Sequence, residues 1–324
     1  MSKAIRVNTP GSADVLTWSD IEVGDPGPGQ VRIKQTAIGV NYIDVYMRSG
    51  LYATPTPFSP GNEAAGIVEA VGADVTDLKV GDRVCYVIGG GGSYQEKRIA
   101  PADRVVKLPD GITDKQAAAM MLKGMTVQYL LRRTYKVKPG DTILFHAAAG
   151  GVGLIACQWA KHLGATTIGT VGSADKAALA TAHGCHHNVL YRDVDFVEAV
   201  KALTNNAGVP VVYDSVGKDT LLKSLDCLAP LGMLVTFGQS SGPADPLNLG
   251  VLGAKGSLFV TRPTLFTYIA KKADLTATAN DLFDVVAKGV VKIAVSAEYA
   301  LKDAAQAHRD LEARKTTGSI VLIP

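Results

Sequence analysis

The run HAAAGGVG, residues 146–153, carries the densest chemical signal in the chain. Ala148, Gly150 and Gly153 fit a G-x-G-x-x-G turn with alanine at its first position. Gly150 lets the backbone approach a pyrophosphate, and Gly153 lets a helix pack tightly on a strand. Gly151 and Val152 open that helix, whose unpaired N–H groups and dipole attract phosphate oxygens. A ligand-free glycine turn is the alternative, and a turn placed after the first of six alternating strands argues against it.

The second strand decides which nucleotide the turn serves. An NAD site places Asp or Glu at its end to hold the ribose hydroxyls. Here that stretch reads GTVGSADK, so Gly172 and Ser173 stand where the acid would be, with Lys176 following. A 2′-phosphate meets no repulsion from the first two and can bind Ser173 and Lys176. Asp175 is the one opposing charge, and a helix N-terminus accounts for it equally well. The expected cofactor is NADPH.

Two stretches invite a metal. In PGNEAAGIVEAVG (60–72) Asn62 precedes Glu63, where a metal site would want imidazole. In HGCHHN, His183, Cys185, His186 and His187 crowd together, yet they fall between a helix and the third strand and read as a polar turn. Cys85, Cys157, Cys185 and Cys227 form no C-x-x-C pair, against both a zinc ribbon and a secreted disulfide framework. His146, ending the first strand of the alternation, reads as a core or turn histidine.

These residues need a scaffold to hold them. To about residue 120 the chain is β-rich with little helix signal: VRIKQTAIGV (31–40), AAGIVEAVG (64–72) and DRVCYVI (82–88), with GDPGPGQ and GGGGS as loops. Residues 114–135 favour helix. From TILFHA onward, TTIGTV, HNVLY, VPVVYD, GMLVTFG and GSLFVT complete six short apolar strands, the number a doubly wound parallel sheet needs. Helical stretches near 265–289 and 302–313 and the strand SIVLIP follow and should fold back onto the first domain.

The 324 residues, 47% hydrophobic and 19% charged, suit two domains with a substantial core. A net charge of +3 with scattered Lys and Arg does not describe a nucleic-acid surface. The polar N-terminus lacks a signal-peptide pattern and no stretch reaches the ~20 apolar residues of a membrane span, so a soluble cytoplasmic protein is expected.

In this order AIGVNYIDVYMRSGLY (37–52), PGNEAAGIVEAVG, GDRV (81–84), HAAAGGVGLIACQWAK, VVYDSVG (211–217), FGQSSG (237–242) and LEARKTTGSIVLIP resemble the medium-chain dehydrogenase/reductase superfamily. Within it, the chain looks most like the zinc-free quinone oxidoreductases related to ζ-crystallin. The resemblance implies an α/β chain with a GroES-like catalytic domain, 1–125 and 262–324, and a Rossmann domain at 126–261. It also implies homodimers formed through the cofactor domains. Zinc members take a Cys where this chain has Asn41 and a His where it has Asn62. Amides are poor zinc ligands, and the region of the structural-zinc lobe is collapsed around GGGGSYQEKR, so no metal is expected.

Without a Lewis acid the acceptor must take hydride readily, as a quinone or an activated enone does. Catalysis then becomes positioning and exclusion of water. The candidate acceptor residues are Asn41, Tyr46, Tyr52, Asn62 and Thr126. Asn41 and Asn62 can donate N–H to an oxygen gaining charge; Tyr46 and Tyr52 offer ring and O–H, with packing an equal explanation for either. Cofactor contacts carried over by motif are Asn41, Tyr46, Tyr129, Gly151, Val152, Ser173, Lys176, Tyr191, Gly238, Gln239, Ser240 and Ser241. Arg314 is either a phosphate partner or a solvated helix-end cation. The expected activity is NADPH-dependent quinone reduction; enone reduction shares the pocket logic. A non-catalytic NADPH-binding or RNA-binding role lacks the basic, aromatic-studded surface it would need.

Overall fold

The computed structural model describes residues 1–324, which form two compact units. The first comprises Met1–Met125, Ile269–Ala287 and Ile293–Pro324; the second comprises Thr126–Tyr268 and Lys288–Lys292.

In the second unit the apolar runs form one parallel six-stranded sheet. Its order is His187–Leu190, Thr166–Val171, Thr142–Phe145, Val209–Asp214, Leu228–Thr236, Phe259–Thr261. Chain order therefore reverses beside Thr142–Phe145, the position where open α/β sheets bind ligands. Continuous apolar sequence fits strands covered on both faces: Leu144, Ile168, Val212 and Leu234 are all fully buried. Residues 262–268, assigned above to the catalytic domain, belong with this unit. Tyr268 stacks on Tyr129 with ring centroids 4.4 Å apart, and its hydroxyl lies 2.8 Å from Thr134 Oγ1. Residues 288–292 join it too, through the backbone of Lys292 on the side chain of Gln158.

The first unit is built on a seven-stranded sheet around Gln30–Val40, which pairs antiparallel with Glu63–Val71, Lys97–Pro101 and the C-terminal strand Ser319–Ile323. The expected return of the chain end thus happens by strand addition, Val321 opposite Gly39.

One element was not anticipated, a helix at Tyr42–Ser49 within the β-rich region. Its start is a side-chain decision: Asp44 Oδ2 accepts from the backbone N–H of Asn41 at 2.9 Å, as in a capping box. Gly50 ends it in the left-handed region at φ 83°.

Gly39 shows how tightly the two elements beside it are set. A Cβ there would lie 2.2 Å from Ala118 O and 2.3 Å from Glu63 Oε1. Gly39→Ala is therefore expected to destabilise the chain by about 2–3 kcal/mol, read as a lowered urea midpoint.

Candidate active site

The residues expected to bind nucleotide follow the carboxyl ends of the strands in the second unit. After Thr142–Phe145 the backbone turns through Ala147 at φ 56° and enters helix Gly151–His162. The first intrahelical bond is Leu154 N to Gly150 O at 2.9 Å, so the N–H groups of Gly151, Val152 and Gly153 have no acceptor within the helix. Gly153 must be glycine: a Cβ would stand 2.5 Å from Ala147 O and 2.6 Å from Ala148 O. The corresponding distance at Gly150 is 3.2 Å, to Ala147 O, so that face of the turn is nearly open. His146 lies fully buried between Thr170 Oγ1 and Ser224 Oγ, each 2.9 Å away, and burial lowers its pKa, so it is a neutral structural residue.

At the end of the second strand Gly172 lies against Tyr191, whose Oη would be 3.0 Å from a Cβ there. Ser173 Oγ accepts from Lys176 N at 3.4 Å and caps the next helix, while the Lys176 side chain is half-buried. At the fourth and fifth strand ends, buried Asp214 accepts from Val216 N, Gly217 N and Thr220 Oγ1 at 2.7, 3.1 and 2.8 Å. That turn carries the next one: Ser240 N donates to Ser215 O and Ser241 N to Val216 O. A Cβ on Gly238 would sit 2.7 Å from Ser215 O. Arg262, which the sequence reading passed over, donates to Thr236 Oγ1, Gly238 O and Gln239 Oε1 at 3.2–3.4 Å. Its only sequence signal was a cation directly after the last strand. Thr126 bonds the hydroxyl of Tyr129, and burial raises the pKa of that phenol well above the ordinary tyrosine range.

The first unit gathers the other candidates. Asn41 Nδ2 donates to Glu63 Oε1 at 2.7 Å, and Asn62 Nδ2 donates to Asp44 Oδ1 at 2.6 Å. Tyr46 packs on Tyr52 with centroids 5.2 Å apart. Arg314, at φ 57°, lies near enough to Tyr42 to act on its hydroxyl. One expectation needs correction: Asn62 is fully buried, and its amide N–H groups point to Asp44 and to Met47 Sδ at 3.7 Å. It braces Asp44 instead of facing an acceptor. Lys123 was missed altogether. Buried to 6% exposure, it donates to Val40 O at 3.1 Å and pairs with Glu63 Oε1 at 3.4 Å. One lysine in an apolar helix leaves no periodic trace that sets it apart from a solvated one.

This donor set does not fit zinc. Both amides at the ligand positions present N–H to carboxylates, and an ammonium already lies beside Glu63. The histidine-rich turn disperses: His183 Nδ1 meets Leu179 O, His186 Nδ1 accepts from Thr167 N, and Cys185 is buried.

Residues 27–110 match the alcohol dehydrogenase GroES-like domain, and residues 151–288 match the family described as zinc-binding dehydrogenase. A quinone oxidoreductase of Pseudomonas aeruginosa is 52% identical, with 100% of both chains covered. The chain belongs to the quinone oxidoreductases of the medium-chain dehydrogenase/reductase superfamily. A quinone oxidoreductase of Escherichia coli, solved in complex with NADPH, superposes with a TM-score of 0.98 at 50% identity, covering 99% of this chain and 100% of its own. A 2-haloacrylate reductase of a Burkholderia species is 48% identical over 100% of this chain and 99% of its own. The family's zinc-binding description thus meets, in this member, a lysine–glutamate pair with amide neighbours.

Lys123→Met strands Glu63 as a buried charge short of its cation and is expected to cost about 3–5 kcal/mol in urea unfolding. The double variant Lys123→Met/Glu63→Gln should lose clearly less, and equal losses would mean that the pair is not coupled.

Proposed function

We propose that this chain reduces quinones with NADPH. The observation that carries the reading is full-length similarity to quinone oxidoreductases, one of them solved with NADPH. The end of the second strand supports the cofactor, with Gly172 and Ser173 where NAD enzymes keep an acid.

When bound, NADPH supplies a hydride from nicotinamide C4. The chain's own residues bind and orient. The N–H groups of Gly151, Val152 and Gly153 receive the pyrophosphate, and the bare backbone at Gly150 admits it. Ser173 and Lys176 hold the 2′-phosphate, with Tyr191 against Gly172 as the adjoining wall. Gly238, Gln239, Ser240 and Ser241, held in place by Asp214 and Arg262, line the nicotinamide side with Tyr129 and Thr126. On the acceptor, the second N–H of Asn41 and the hydroxyls of Tyr46 and Tyr52 meet the oxygen that gains negative charge. A quinone needs no stronger electrophile, because adding hydride to it creates an aromatic ring.

The similarity to a 2-haloacrylate reductase favours a second reading, reduction of an activated carbon–carbon double bond. The reading includes a homodimer, supported by the edge strand Phe259–Thr261, where Phe259 is 55% exposed with Leu231 and Leu249 also exposed. No helix is long and apolar enough to cross a membrane.

Steady-state NADPH oxidation with benzoquinones, naphthoquinones and 2-haloacrylate separates the two readings: quinones should give the higher kcat/KM. Lys176→Ala should raise KM for NADPH about tenfold, the loss of one charge-assisted phosphate contact, and leave KM for NADH nearly unchanged. Equal effects on both nucleotides would remove Lys176 from the 2′-phosphate site.

A further inference from the structure

Behind Asn41 and Asn62 lies a buried polar chain, internal to the first unit, that the proposed reaction does not yet use. It starts on the C-terminal helix Ala304–Glu312, where Glu312 binds Arg48 through two bonds of 2.8 Å. Arg48, 2% exposed, also lies 3.4 Å from His308 Nδ1. His308 Nε2 lies 2.9 Å from the hydroxyl of Tyr94, and that hydroxyl lies 3.2 Å from Asp44 Oδ2. His308, Tyr94 and Asp44 are all fully buried.

The direction of every hydrogen follows from chemistry. A guanidinium only donates, so His308 Nδ1 must accept and its proton must sit on Nε2. Nε2–H then donates to the Tyr94 oxygen, which leaves the Tyr94 hydrogen for Asp44. Burial and the adjacent Arg48 charge push the His308 pKa down to about 3, which keeps the imidazole in this neutral form. Because Arg48 does not release a proton, the chain cannot act as a wire to solvent. It works instead as a row of aligned donors, running from a fixed cation to one carboxylate.

That carboxylate holds the acceptor side together. Asp44 accepts from Asn41 N, Asn62 Nδ2 and Tyr94 Oη, and thereby fixes the start of the helix that carries Tyr46. We propose that ionised Asp44 is a positioning residue for hydride transfer, and that the Arg48–His308–Tyr94 chain keeps it ionised. The charged and titratable groups around it come from every neighbouring element. Arg48 lies on its own helix and Glu63 on the adjoining strand, with Lys123 beyond Glu63. Tyr94 lies in the segment after the glycine loop, and His308 and Glu312 lie on the C-terminal helix. Burial, reinforced by Glu63, raises the Asp44 pKa to about 7, while the Asn41, Asn62 and Tyr94 bonds oppose that rise. Protonation at lower pH removes acceptor capacity from Asp44, so activity falls on the acid side as pH drops through about 7.

This inference rests on the reductase reading, and quinone turnover by the parent enzyme checks that reading separately. The test is the pH profile of kcat/KM for a quinone at saturating NADPH. Tyr94→Phe removes one bond that lowers the Asp44 pKa, so the acid limb should move to higher pH by about half a unit or more. The dissociation constant for NADPH should not change. An acid limb superimposable on that of the parent enzyme overturns the proposal. If Tyr94→Phe does not fold, His308→Leu breaks the chain one step earlier while leaving the Tyr94–Asp44 bond, and should displace the limb in the same direction by a smaller amount; an unmoved limb in that variant also overturns it. A purely structural role would lower kcat at all pH values without moving the limb.

Discussion

A carboxylate with no access to solvent must find its donors within the fold, and at Glu63 that requirement joins three separate stretches of chain. Glu63 Oε2 accepts from Leu122 N at 2.6 Å, and Oε1 receives Asn41 Nδ2 and the Lys123 ammonium. The residue opens a central strand of the first unit, Asn41 caps the helix after the neighbouring strand, and Leu122 and Lys123 belong to helix Asp114–Tyr129. A buried charge left short of partners costs several kcal/mol. The arrangement is therefore held to one geometry, and it also dictates the lack of a side chain at Gly39, where any Cβ would meet Glu63 Oε1.

From that anchor the surroundings of Asn41 and Asn62 are organised by a second carboxylate. Asp44 is one turn along the helix that Asn41 begins, and Asn62 precedes Glu63, so two pairs close in sequence become one crossed set of bonds. Each amide serves the carboxylate of the other pair. The set presents donors to carboxylates, a polarity opposite to what a zinc ion requires.

The nucleotide unit obeys a different constraint, close approach of backbone to backbone. Gly153 and Gly238 each sit where a Cβ would come within 2.7 Å of a carbonyl oxygen. Asp214 and Arg262 then tie down the turns that follow the strands. These turns are short and polar, and the sheet beneath them is apolar on both faces, so rigidity comes from the sheet and recognition from its edge.

Much of this was legible in the residues alone. Six apolar runs alternating with helices determine a parallel sheet, because strands covered on both sides need no polar face. The turn at 148–153 and the small residues at 172–173 point to a nucleotide with a 2′-phosphate, because glycine and serine act there through local backbone geometry. Asn41 and Asn62 told against a metal for the same local reason, the poor affinity of amides for zinc. What sequence could not show is any feature made by side chains distant along the chain. The helix at Tyr42–Ser49 starts at a local Asp44 cap, but Asp44 is itself held by Asn62 and Tyr94 from other parts of the chain. Residues 262–268 join the second unit because Tyr268 finds Tyr129, 139 positions earlier. Lys123, and the path from Arg48 through His308 and Tyr94 to Asp44, exist only once folding has buried those groups. Burial strips each of them of water and forces it to find a particular partner, so the partner was decided by tertiary structure and not by spacing.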